Sequence, residues 1–289
     1  RALGDSRTPL YFLIFSSVLN VVLDVVFIVP FGMDVAGAAW ATVLAQAISA
    51  ALCIVFALKR FTILHLSARE WRFSAEAAWC HLKVGFPMGF QMSVMCIGQL
   101  AMQMVVNSLG TAAVAGYTAA SKADQLSVLV NNAMMTAISN YVAQNFGAGK
   151  RERICQGVRA SLIQTETFNV LMCAGIILLR HPIVELFMSN PTKEIYHYSD
   201  AYLTIVAPFY VILGLLAVYR TTIQSMQNGW APFAACMIEL VMRISATVGL
   251  VGMLGYTSVC IASPMAWFGA CALLIPCYYR MMKVWKKDK

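Results

Sequence analysis

Between residues 9 and 280 the chain alternates long apolar runs with short polar breaks. A helix needs about 20 mostly apolar residues to cross the hydrocarbon core of a bilayer. Eight runs meet that requirement, at 9–31, 34–58, 82–107, 112–142, 155–180, 198–220, 231–253 and 256–280. The breaks are rich in turn formers: FGMD at 31–34, NSLGT at 107–111, FGAGKRER at 146–153, HPIVELFMSNPTKE at 181–194 and QNGWAP at 227–232. The longest polar stretch, 59–81, has the character of an interfacial amphipathic helix. It is expected to be a cytoplasmic linker between a bundle at 1–58 and a second one, with a short basic tail, at 82–289.

Composition agrees with the pattern. Hydrophobic residues make up 60% and charged residues 12%, with a mean hydropathy of +0.70, whereas a soluble domain is roughly a quarter charged. The predicted class is therefore an all-α, polytopic membrane protein. A net charge of +8 would suggest nucleic acid in a soluble protein. Threading the spans alternately instead collects nearly all lysines and arginines on one side, Arg220 among them, and leaves only Arg180 and Lys193 on the other. By the positive-inside rule the crowded side is cytoplasmic, so both ends of this chain are expected there and no nucleic-acid partner is implied. The nine cysteines form no CxxC and no Cys/His cluster, and most sit in apolar runs as small hydrophobes. The chain begins at Arg1 without a signal-peptide pattern and is expected to be part of a longer protein.

Against this background the polar residues inside spans carry the chemistry, because ionisable groups there usually face a bundle interior or an aqueous cavity. Ser17, Asn20 and Asp24 recur on one face of the first span, and Thr42, Gln46 and Ser49 repeat that spacing in the second. A carboxylate beside amide and hydroxyl oxygens suits a proton or a sodium ion. The alternative is a hydrogen-bonded structural carboxylate that ties the two helices together. Further along, Glu239 and Arg243 are spaced as an i, i+4 ion pair. Lys122, Asp124, Gln125, Asn131 and Asn132 on the fourth span, with Gln164 and Glu166 on the fifth, are candidates for a second polar cavity. Gln91, Met95, Gln99 and Met102 recur near helical spacing on the third span, in a chain with 17 methionines. Thioethers adapt to varied amphipathic ligands, although most methionines in such a chain serve packing.

The first two spans also resemble the last two. Aligning Pro9 with Pro232 lays GDSRTPLYFLIFSSVLNVVLD over QNGWAPFAACMIELVMRISAT, as expected of a parallel repeat of two bundles. Taken together, RALGDSRTP, NVVLDVVFI and GAAWAT, followed by YTAASKADQL, AQNFGAGKRER and ELVMRI, resemble the multidrug and toxic compound extrusion (MATE) transporters. The resemblance runs the length of the chain, as the last eight of that family's twelve helices in two lobes, so that 1–58 corresponds to the last two helices of the N-terminal lobe. It implies that Asn20, Asp24 and Thr42 belong to the cation site of that lobe. It also implies a monomeric secondary transporter in the cytoplasmic membrane. The family's first-helix aspartate would lie upstream. Where some members carry an acid about two turns after a proline in the seventh helix, this chain has Pro87 followed by Met95, which argues against a cation site of that type.

The expected function is export of organic, cationic amphipathic compounds driven by a proton or sodium gradient, with no other cofactor and no metal. Gln91, Met95, Gln99, Lys122, Asp124, Glu166, Glu239 and Arg243 are the substrate-cavity candidates. A lipid-linked oligosaccharide flippase of the same broad fold is the alternative, but it would want several unpaired cations. No Walker A, HExxH or Ser/His/Asp arrangement points to an enzyme. Without four upstream helices the chain by itself is expected to be inactive in dye export.

Overall fold

The computed structural model describes residue 5 and residues 7–62, 73–188 and 191–287. Ten α-helices follow one another among the described residues, with no strand: α1 Arg7–Ile28, α2 Asp34–Arg60, α3 Ala75–Ser108, α4 Thr111–Gly147, α5 Arg151–Phe187, α6 Lys193–Val206, α7 Tyr210–Ser225, α8 Trp230–Gly249, α9 Val251–Leu254 and α10 Thr257–Lys287. The eight expected spans all fall on this series. The sixth is divided, because Pro208 sits in a 3-10 turn, Ala207–Phe209, between α6 and α7. Pro87 and Pro264, by contrast, lie within α3 and α10.

Seven of these stretches are long and apolar enough to cross a membrane, α6 and α7 counting as one. The helix α4 is not among them, because Ser121, Lys122, Asp124, Gln125, Asn131 and Asn132 dilute its apolar content. Those polar groups are largely accounted for by the cavity described below. The apolar surface of the larger unit, Glu76–Lys289, is that of a bilayer protein: on α5, Ile163, Leu171, Leu178 and Leu179 are exposed by more than half.

The helix ends explain why the breaks fall where they do. Ahead of α1, Asp5 accepts bonds from the backbone N–H groups of Arg7 and Thr8 and from the Thr8 hydroxyl, which satisfies donors the first turn cannot. The helix α2 opens on Asp34 and closes on Lys59 and Arg60, each sign at the helix end it favours. After α4, Lys150 N–H reaches back to Asn145 O and Gly149 N–H to Phe146 O, with Gly149 at φ +67°. This is a Schellman cap, whose left-handed position favours glycine. The same pair of bonds closes α7, from Asn228 to Ile223 O and from Gln227 to Gln224 O, but here Gln227 occupies the left-handed position at φ +62°. Asn228 then accepts from Ala231 N–H and starts α8.

The chain divides into two compact units, Arg1–Ala75 and Glu76–Lys289. The division falls inside the 59–81 stretch; residues 63–72 of the expected linker lie outside the described residues, α2 reaches Arg60, and residues 75–81 already belong to α3. In the first unit α1 packs along α2, whose buried face is Gly37, Ala41, Ala45 and Ser49. Small side chains at i, i+4 spacing let two membrane helices approach closely. In the second unit α8 and α10 pair in the same way, and α4 packs against α5, α6 and α7. The core there is built from residues such as Met102, Ile154, Tyr210 and Leu216.

Candidate functional site

Each unit holds its own cluster of polar groups. In the first, the Asn20 amide donates to the Thr42 hydroxyl at 3.3 Å, and Thr42 in turn donates to Ala38 O at 3.0 Å. Asn20 and Thr42 thus join α1 to α2. One turn after Asn20, Asp24 is half-buried, and its Oδ1 is shielded from solvent without a hydrogen-bond partner among the described residues. The expected second-helix stripe is only partly realised. Ser49 is buried and donates to Phe12 O, whereas Gln46 is exposed, because the face of α2 that meets α1 is set by its smallest residues; Ser17 on α1 is exposed as well.

In the second unit a cavity of about 480 Å³ opens among α3, α4, α6, α7, α8 and α10. The helix α3 contributes Met95, Gln99, Met102 and Gln103, and α4 contributes Tyr117, Ser121, Asp124, Gln125, Val128, Asn131 and Asn132. Both series recur every three or four residues, so each is a single helix face. Arg220 of α7, Glu239 and Arg243 of α8, and Ser263 and Trp267 of α10 complete the charged and aromatic lining.

The charges are arranged differently from the spacing along the chain. Glu239 pairs across helices with Arg220, and the two side chains are only 3% and 12% exposed. Among the described residues Arg243 has no ion-pair partner, and its Nε is buried without a hydrogen bond. The expected pairing of Glu239 with Arg243 is therefore corrected. A contact between α7 and α8 brings Arg220 to the carboxylate and leaves Arg243 to fill the space that Gly98 vacates on α3. The assignment of Arg220 to a membrane-surface position is corrected as well, since it is a buried cavity residue. With two acids, Asp124 and Glu239, against two arginines, the lining is charge-balanced.

Five of the eight cavity candidates line this space: Met95, Gln99, Asp124, Glu239 and Arg243. Three do not. Gln91 is buried one turn away, where its Oε1 accepts from the Gln224 amide at 2.8 Å and its carbonyl meets Cys236 Sγ, so it clamps α3 to α7 and α8. Lys122 is exposed, as its two-residue offset from Asp124 requires. Glu166 lies on α5 against Gly214 of α7, with both carboxylate oxygens enclosed and unpartnered among the described residues. Gln164, on the same helix, is exposed.

Two participants were not legible beforehand. Asn169 accepts from the Asn131 amide at 3.0 Å and donates to Tyr210 O at 3.0 Å, linking α4, α5 and α7 behind the cavity wall. It lies three residues after Glu166 inside an apolar run, a spacing that could have flagged it. Arg220 gave no such signal, because its partner is 19 residues away on another helix. The described residues contain no cluster of His, Cys, Asp and Glu able to hold a metal, and all nine cysteines are free.

The MatE family model matches residues 87–248, more than half of the chain and most of the helices around this cavity. The chain belongs to the MatE family. Its relatives include "Probable multidrug resistance protein YpnP" of Bacillus subtilis, 31% identical across the whole chain and 64% of that protein. A "FAD transporter" of Shewanella oneidensis is 21% identical over 86% of the chain and 56% of that protein. Among solved structures, one described as "Crystal structure of MATE in the bent conformation" superposes with a TM-score of 0.89 at 23% identity, covering 99% of this chain and 64% of that one. The chain thus spans 64% of the length of YpnP and 56% of that of the FAD transporter. It shares their multi-pass helical fold.

Proposed function

We propose that this chain is the larger part of a cation-coupled exporter of small organic compounds, resident in the cytoplasmic membrane with both ends of the chain on the cytoplasmic side. The observation that carries the coupling role is Asp24. A carboxylate kept only to tie α1 to α2 would spend its oxygens on hydrogen bonds, yet Asp24 Oδ1 is shielded and unpartnered, while Asn20 and Thr42 already make the interhelix bond. A half-buried carboxylate with one oxygen shielded and unpaired among the described residues offers that oxygen to a proton or a sodium ion. Asn20 and Thr42 are the neighbouring oxygens that would share a sodium ion. Uptake changes the charge between two helices, and a ligand that binds one arrangement of a bundle better than another shifts the balance between them.

The second-unit cavity is the proposed substrate site. Its Met, Tyr and Trp walls suit flat amphipathic molecules, and Asp124, free of the Arg220 pair, would anchor a positive group. The names of relatives such as YpnP support drug export over a flippase. A second reading rests on Arg243: its unpaired guanidinium is suited to an anionic group, and one relative is named as a FAD transporter. Ethidium and flavin efflux from cells expressing the full-length protein, under imposed proton or sodium gradients, tests both. Asp24→Asn should abolish gradient-driven export at normal expression, and unchanged export would refute the coupling role. Asp124→Asn should impair ethidium selectively, whereas selective loss of flavin export in Arg243→Gln would favour the anionic reading.

A further inference from the structure

A second cavity, of about 680 Å³, lies between α5, α7 and α10 and is separate from the one just described. Arg151 and Arg159 of α5 and Lys283 of α10 line it together with Tyr219, Tyr278 and Tyr279, and the described residues put no carboxylate among its walls. Three cations around one space without an acid would repel one another. They gain from an anion that fills it.

The cations are presented rather than neutralised. Arg151 donates its Nε to Met282 O at 2.9 Å, which fixes the guanidinium while its terminal nitrogens make no bond to the described residues. Neither Arg159 nor Lys283 has an ion-pair partner among the described residues, and both are exposed. The Tyr219 and Tyr279 hydroxyls approach each other at 3.5 Å on the wall and add hydrogen-bonding capacity. A planar guanidinium fork held in place beside a mobile ammonium matches a phosphate group with its several acceptor oxygens.

The surroundings distinguish a lipid phosphate from a soluble one. Ile163, one turn beyond Arg159 on α5, is 61% exposed, and Tyr279, one turn before Lys283 on α10, is 60% exposed. Both helices are long and apolar enough to cross a membrane. The basic mouth therefore continues along the same helices into an exposed apolar face, the sequence of environments that a headgroup and its acyl chains meet. We infer that this cavity seats the phosphate of an anionic phospholipid, held by Arg151, Arg159 and Lys283, with the chains running along Ile163 and Tyr279. Basic pockets between membrane helices hold acidic lipid headgroups by the same electrostatics. Tyr219 faces this cavity and the next residue, Arg220, faces the other, so α7 is a wall common to both.

The test is native mass spectrometry of the detergent-purified full-length protein titrated with phosphatidylglycerol or phosphatidylcholine. Wild type should retain phosphatidylglycerol preferentially. The Arg159→Gln/Lys283→Gln variant, which leaves the Arg151 bond to Met282 intact, should lose that preference by roughly 10- to 30-fold, taking about 1 kcal/mol for each surface cation. Arg159→Lys, with its charge kept, should recover most of it. Equal binding of the two lipids by wild type, or an unaltered preference in the double variant with an unchanged unfolding midpoint, would overturn the proposal. Displacement of phosphatidylglycerol by millimolar inorganic phosphate would assign the pocket to a soluble ligand and overturn the lipid assignment.

Discussion

Glutamine in place of Glu239 separates two arrangements that the same sequence permits. In the structure Glu239 compensates Arg220, both side chains are almost fully enclosed, and Arg243 stands without an acid among the described residues. Removing one partner of a buried ion pair leaves an uncompensated charge, which typically destabilises by about 3–5 kcal/mol. The expectation is a loss of that size for Glu239→Gln and a comparable loss for Arg220→Gln, since each strands the other. In the double variant no charge is stranded, so the two losses should fall short of adding by roughly 2–3 kcal/mol. Arg243→Gln should cost less than about 1 kcal/mol or even stabilise, because it removes a buried charge to which the described residues supply no ion-pair partner. The measurement is reversible SDS-induced unfolding of the full-length protein in mixed micelles, followed by tryptophan fluorescence. If Arg243→Gln were as damaging as Glu239→Gln while Arg220→Gln was mild, the i, i+4 pairing would hold and the interhelix pair would be refuted.

Three further outcomes are expected. A Cβ on Gly116 would lie 2.9 Å from Ile195 O and 3.1 Å from Ser199 N on α6, backbone atoms that cannot move alone; Gly116→Ala should destabilise by about 1–3 kcal/mol, whereas Gly89→Ala on α3, which meets nothing within 4 Å, should be neutral or stabilising by up to about 1 kcal/mol, both read from SDS unfolding. Gln227→Gly should stabilise by roughly 0.5–1 kcal/mol, because it relieves a left-handed residue at the α7 cap while keeping the Asn228 bonds; a loss of stability would mean that the glutamine side chain has another role. The Thr8 hydroxyl and the N–H groups of Thr8 and Arg7 hold the Asp5 carboxyl below the usual carboxylate range, so the α1 cap is fully present above the unfolded-state pKa of about 3.9 and is lost as pH falls through the lower folded value. Amide exchange at Thr8 should accelerate below that folded value in wild type, and already be fast at neutral pH in Asp5→Ala.

The helices are local features of the chain, because a span must be apolar over a length dictated by the bilayer and its ends must satisfy their own backbone groups. Eight apolar runs, separated by breaks such as FGAGKRER and QNGWAP, are local information. The family was legible for a related reason, since GDSRTP, NVVLD and AQNFGAGKRER combine caps and intramembrane polar groups that seldom coincide. Periodicity also placed Met95, Gln99 and Asp124 on faces that turned out to line one cavity. What periodicity does not contain is which face of one helix meets which face of another. That decided the partner of Glu239, the inward place of Arg220, the diversion of Gln91 to Gln224, and the seclusion of Glu166 behind Gly214. Such pairings depend on how closely backbones approach where glycine and alanine permit it, and they join residues far apart in the chain. Local spacing sets the choices each residue has, and helix packing selects among them.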